Sequence, residues 1–147
     1  MFSKLISILN GEDTSAQPKH DALQFAVAAL LIEAAWRDDV FEPAERDAIE
    51  RVLIERFEIT QDEAVSLIDK ASEERSNQLF GFTNKIVKAM DEADRIKVIE
   101  MLWEVAYADG VLDPHEDALI RKVAGLVYVT DHDRGAARRR VKERLGL

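Results

Sequence analysis

The sequence predicts an all-α fold: a compact bundle of about seven helices carrying an internal pseudo-two-fold repeat of helix–turn–helix units. Three observations lead there. Apolar residues recur at helical spacing along most of the chain, and the strict alternation of a strand is nearly absent. Proline, Thr/Asp caps and acidic first turns mark helix starts at regular intervals. Most tellingly, residues 31–53 return as residues 102–124 at one constant offset, set by Pro43 and Pro114. At that offset Glu33, Ala35, Asp38, Val40, Pro43, Glu45, Ile49 and Val52 match Glu104, Ala106, Asp109, Val111, Pro114, Glu116, Ile120 and Val123. Two copies, each long enough for half a domain, do not make a solenoid.

Taken in order, residues 1–18 read as an N-terminal amphipathic segment and a polar linker, and residues 19–147 as one helical domain. Phe2, Leu5, Ile6 and Leu9 give the segment an apolar side, while Lys4 and two serines make it a poor signal peptide. Leu23, Ala26, Val27, Leu30, Leu31 and Ala34 set an amphipathic helix over about 20–38. Pro43, at a first helical position where its missing N–H costs nothing, opens a second helix to about 57, with Ile49, Val52 and Leu53 on its stripe. Thr60 and Glu63 form a capping box for a third helix holding Ala64, Val65, Ile68 and Ala71. Leu79, Phe82, Ile86, Val87 and Met90 line a fourth, despite Gly81. A fifth runs over 94–109 with Ile99, Leu102, Val105 and Ala106 inward. Asp113 at the N-cap, Pro114 at N1 and Glu116 at N3 open a sixth, to about Val127. Thr130 or Asp131 caps a last, basic helix to about Leu145.

Length and composition confine the chain to one soluble globular domain. The longest apolar run, residues 25–32, is far short of the roughly 18–20 residues of a membrane span, so none is expected, and the apolar N-terminal segment leaves room for peripheral association. There is no cysteine, which removes disulfides, thiolate zinc sites and thiol catalysis, and is compatible with a reducing cytoplasm. A formal net charge of −9 argues against nucleic-acid binding. The charge is uneven: Arg134, Arg138, Arg139, Arg140, Lys142 and Arg144 face a single acid, Glu143, in the last fourteen residues. That basic helix either lies on the acidic body or meets an anionic partner.

The two turns carry the residues with chemistry. In the second, Gly110 allows the sharp bend, Asp113 caps the next helix and Glu116 lies one turn inside it. The first keeps the acids Asp38, Glu42 and Glu45 but has Asp39 where glycine is expected. Two readings compete. Acids at a helix N-terminus gain from capping and the macrodipole without any ligand. Asp38 and Asp109 instead sit at helix C-termini, where either N–H bonds from the start of the following helix or a cation would relieve their repulsion. Asp109, Asp113 and Glu116 also occupy positions 5, 9 and 12 of a calcium loop, although Val105 and Tyr107 at positions 1 and 3 exclude a complete one. A divalent site at Asp109, Asp113 and Glu116, with Asp38, Glu42 and Glu45 as its weaker counterpart, is therefore weighed against plain capping. The donors suit Ca²⁺ better than Zn²⁺. His115, beside Pro114, reads as solvated, and no phosphate loop, nucleophile elbow or acid/base pair is present, so no enzyme is expected. Trp36 and Tyr107 occupy equivalent places beside the turns, either packed beneath them or serving as partner anchors.

The duplicated pattern Ala35/Asp38/Pro43/Glu45 and Ala106/Asp109/Gly110/Pro114/Glu116 resembles the tellurite-resistance TerB-like family, which is related to the N-terminal region of the co-chaperone DjlA. The resemblance spans about residues 20–129. It implies an all-helical domain of about seven helices whose turn acids bind metal, working in bacterial stress-response or membrane-associated complexes with protein partners. Asp39 departs from the pattern, and a J-domain signature is missing. The rival expectation is a metal-independent interaction module using the acidic face, the basic last helix or the N-terminal segment.

Overall fold

The computed structural model describes residues 16–36, 42–73, 79–108, 110 and 112–147. Among them are seven helices and no strand: α1 (Ala16–Ala35), α2 (Pro43–Phe57), α3 (Gln61–Glu73), α4 (Leu79–Ala89), α5 (Glu92–Ala106), α6 (Pro114–Leu126) and α7 (Asp131–Leu145). None is long and apolar enough to cross a membrane. The N-terminal ten residues and their expected amphipathic helix lie outside the described residues.

Most expected starts are realised by the chemistry that predicts them. Thr60 Oγ1 accepts from the Glu63 N–H at 3.1 Å while Glu63 Oε1 accepts from the Thr60 N–H at 3.0 Å, a reciprocal capping box. Thr130, not Asp131, caps α7 by accepting from the Asp133 N–H. Two boundaries need correction. The first helix extends from Ala16, with Pro18 tolerated in its first turn, and ends at Ala35 rather than at 38. The fifth starts at Glu92 and ends at Ala106, because Asp91 is the capping residue and accepts from the Asp94 N–H.

The first helix is also not amphipathic. Residues 26–32 are buried without interruption, and Ala34 and Ala35 follow, so this stretch of α1 is covered all round. It is the axial helix, in contact with α2, α3, α4, α5 and α6. Its short side chains allow this close approach, and Phe25 meets Phe82 of α4 edge-on with centroids 6.0 Å apart. The apolar run that is too short for a membrane is the core of the domain.

The repeat reaches further than the sequence comparison shows. α1 and α5 end at equivalent residues, Ala35 and Ala106, and α2 and α6 begin at Pro43 and Pro114. Beyond that, the corner Phe57-Glu58-Ile59-Thr60 is repeated as Val127-Tyr128-Val129-Thr130, one residue out of the earlier register. Glu58 (φ 55°) and Tyr128 (φ 59°) both take the left-handed conformation, and both threonines cap the next helix. The unit is thus three helices: α3 packs on α1 and α2 as α7 packs on α5 and α6. α4 lies between the units and packs on α1 and α6.

Candidate functional site

Pro43 and Pro114 each open their helix at its first position, but the caps differ. Asp113 Oδ1 accepts from the His115 N–H at 2.8 Å, closing the first turn of α6. Glu42, at the same position before α2, has extended backbone, is exposed and makes no side-chain cap bond. A glutamate carries one methylene too many for the short loop that Asp, Asn or Ser closes there. Of the two readings of the turn acids, side-chain capping thus holds for Asp113 and not for Glu42. Gly110 takes φ +83°, and its N–H donates to the Tyr107 carbonyl at 2.9 Å, which is the bend the sequence expected of it.

Glu45 and Glu116, in contrast, are almost wholly buried, with 4% and 2% of their surface exposed. Both therefore have an apolar setting. Each lies one turn inside its helix, on the same stripe as the core: Glu45 leads to Ile49 and Val52, Glu116 to Ile120 and Val123. The spacing i, i+4, i+7 was legible in the sequence, but an acid at its head is easily assigned to solvent. Burying a carboxylate is costly unless positive charge or N–H groups face it, and a helix N-terminus supplies the latter. Asp38 and Asp109 lie outside the described residues. No group of three or more His, Asp or Glu side chains able to hold a metal occurs among the described residues. His115 is exposed.

Tyr107 is buried in the core and Trp36 is half-buried against it. Tyr107 has a second use. With Glu100, Trp103 and Glu104 it forms one face of α5, at the spacing i, i+3, i+4, i+7, and this face receives the basic helix. Arg140 donates to Glu100 through Nε (3.1 Å) and Nη2 (2.9 Å). Arg144 Nη2 reaches Glu104 at 2.9 Å and Glu100 at 3.2 Å. From α2, Arg56 bridges Glu104 and, at 3.7 Å, Glu100. The Arg138 guanidinium lies 5.5 Å from the centroid of the Trp103 ring while its Nε donates to the Tyr107 hydroxyl at 2.6 Å. Trp103 Nε1 donates to the Arg134 carbonyl at 3.2 Å. The basic tail thus lies on the acidic body. Glu100 and Arg56 were not singled out in the sequence, because their partners are 40 and 48 residues away and no local period links them.

An all-helical domain built from two equivalent three-helix units, each with a proline-started helix and a buried glutamate at its corner, defines the class. The family model described as tellurite resistance protein TerB matches residues 24–139, and the chain belongs to that family. No curated protein and no solved structure is significantly similar to the chain.

Proposed function

We propose that the chain is a non-enzymatic TerB-family module of the bacterial cytoplasm that holds a divalent cation, Ca²⁺ in preference to Zn²⁺, at its helix–turn–helix corners, in the stress response that gives the family its name. The observation that carries this reading is the matched burial of Glu45 and Glu116 at equivalent positions. Capping alone asks for a short, exposed acid, as Asp113 provides. A buried acid retained in both units is better suited to an ion than to solvent. Glu116 and Asp109 would be the principal oxygen donors of one corner with Asp113 at its rim, and Glu45, Asp38 and Glu42 those of the other. Carboxylate oxygens alone favour a hard cation. The bound ion would cancel the repulsion between the acids and tie the two helices of a corner together.

Calorimetric titration of the full chain with Ca²⁺, Mg²⁺ and Zn²⁺ tests the proposal. Saturable heat with Ca²⁺ is expected, reduced by Glu116→Gln or Asp109→Asn more than by Glu45→Gln or Asp38→Asn. A ligand at a hundred times its Kd adds about 2.7 kcal/mol to the folded state, so the melting temperature rises with it. Absence of heat, with an unmoved melting temperature at millimolar metal, would return these acids to a structural role.

A further inference from the structure

The two units are alike in backbone and opposite in charge. α3 carries four acids and one base, whereas its counterpart α7 carries six bases and three acids. Most of the basic side chains of α7 are engaged within the chain: Arg140 and Arg144 with Glu100 and Glu104, Arg134 with Asp131, Arg138 and Lys142 with the Tyr107 ring. Arg139 alone of the six makes no ion pair, hydrogen bond or ring contact among the described residues, and neither does Glu143, one turn further on. Both are exposed, on the side of α7 away from the buried Ala137 and Val141. A matching alternation of charge lies on α2. Asp47, Arg51 and Glu55 stand one turn apart, all exposed and again without partners among the described residues. They line an open groove of about 320 Å³ together with Ile54, Glu50 and Gln61. Gln61 Nε2 donates to Glu50 Oε1 at 2.9 Å, which ties the start of α3 to α2 across that groove.

We propose that the groove on α2 receives the outer face of α7 of a second copy of the chain, so that copies associate head to tail. Charge complementarity names the occupant. Whichever way the two helices run, Glu143 meets Arg51 while Arg139 meets a carboxylate, Glu55 if they are antiparallel and Asp47 if parallel. A slip by one turn in either direction sets like charges against each other, so the pattern fixes the register as well as the partner. The aliphatic stem of Arg139 lies over Ile54, the half-buried apolar residue of the groove, and keeps its guanidinium at the carboxylates. Within one copy Arg139 reaches none of these groups. Because the two faces are different surfaces of the same chain, the contact is heterologous and adds further copies until a ring closes. Exposed ion pairs each contribute little, so the association is weak, concentration-dependent and sensitive to salt.

Sedimentation of the full chain tests this with two variants. One blanks the groove (Asp47→Ala, Arg51→Ala and Glu55→Ala), the other the α7 face (Arg139→Ala and Glu143→Ala). All five positions are exposed and helical, where alanine is well tolerated, and circular dichroism checks that the fold is kept. At about 0.5 mM, a concentration suited to contacts built on exposed ion pairs, the unaltered chain should show a mass that rises with concentration. Raising NaCl from about 0.05 M to 0.5 M, which shortens the screening length about threefold, should weaken the association at least about tenfold. Each variant alone should be a monomer. Mixed in equal amounts they should form a one-to-one complex that grows no further, since the intact α7 of one fits the intact groove of the other and the remaining faces are blank. An unaltered chain that stays monomeric at low salt overturns the proposal, as does a mixture that stays monomeric. A dimer lost with the α7 variant but kept by the groove variant would mean that α7 meets α7, and overturns it too.

Discussion

Single residues in this chain are set against their intrinsic preferences at two corners. Tyr128 is the sharper case: its N–H and that of Val129 close the end of α6 onto the Gly125 and Ala124 carbonyls, which requires φ 59° of a residue with a Cβ. The left-handed conformation costs a non-glycine residue about 1–2 kcal/mol, and Tyr128, 72% exposed, recovers little by packing. Tyr128→Gly is therefore expected to raise the urea midpoint, the net gain being about 0.5 kcal/mol once the looser unfolded chain is counted. Tyr128→Ala keeps the Cβ and should give no gain. Gly110 is the converse. A Cβ there meets nothing closer than Leu147 Cδ2 at 4.0 Å, so the penalty of Gly110→Ala comes from φ +83° alone. Urea unfolding should show a loss of about 1 kcal/mol, and a neutral result would mean the bend relaxes.

At the scale of the element, helix starts were the most legible part of the sequence because a cap is a local bargain: Thr60 with Glu63, Asp113 with the His115 N–H, Pro43 and Pro114 at positions that need no donor. The ends and faces were less so. α1 read as one-sided because Leu23, Leu30 and Ala34 recur at helical spacing, yet the alanines between them are also buried; only the surrounding helices reveal that. The third helix of each unit escaped the repeat because its cap is shifted by one residue and because α7 exchanges apolar contacts for charged ones. The burial of Glu45 and Glu116 was readable from their register, and the Glu100 cluster was not. The equivalence of the two corners has a consequence that can be measured. Thr60→Ala and Thr130→Ala each remove one side-chain acceptor from a helix N-terminus, and each should cost about 1 kcal/mol by denaturant unfolding. A loss confined to one of them would mean that the corners, though alike in backbone, carry different loads.

For the whole molecule, the two-fold pattern raises the question of whether each unit folds alone. The packing of α1 answers it. A helical stretch that is apolar all round, as residues 25–32 of α1 are, needs neighbours on every side, and α1 takes α2 and α3 from its own unit but α4, α5 and α6 from beyond it. Arg56 of α2 adds a polar tie by reaching across to Glu100 and Glu104 of α5. A fragment of residues 16–73 would keep the repeat unit intact in sequence yet leave Leu30, Leu31, Ile32 and their neighbours partly in water. Burial of each such side chain is worth roughly 1.5–3 kcal/mol, and several lost together exceed the roughly 5–15 kcal/mol that holds a domain of ordinary stability. The fragment is therefore expected to show little helix by circular dichroism as a monomer, or to gain helix only with self-association that supplies the missing neighbours. A monomeric fragment that melts cooperatively would show instead that the three-helix unit is autonomous and that the central position of α1 is not what binds the halves into one domain.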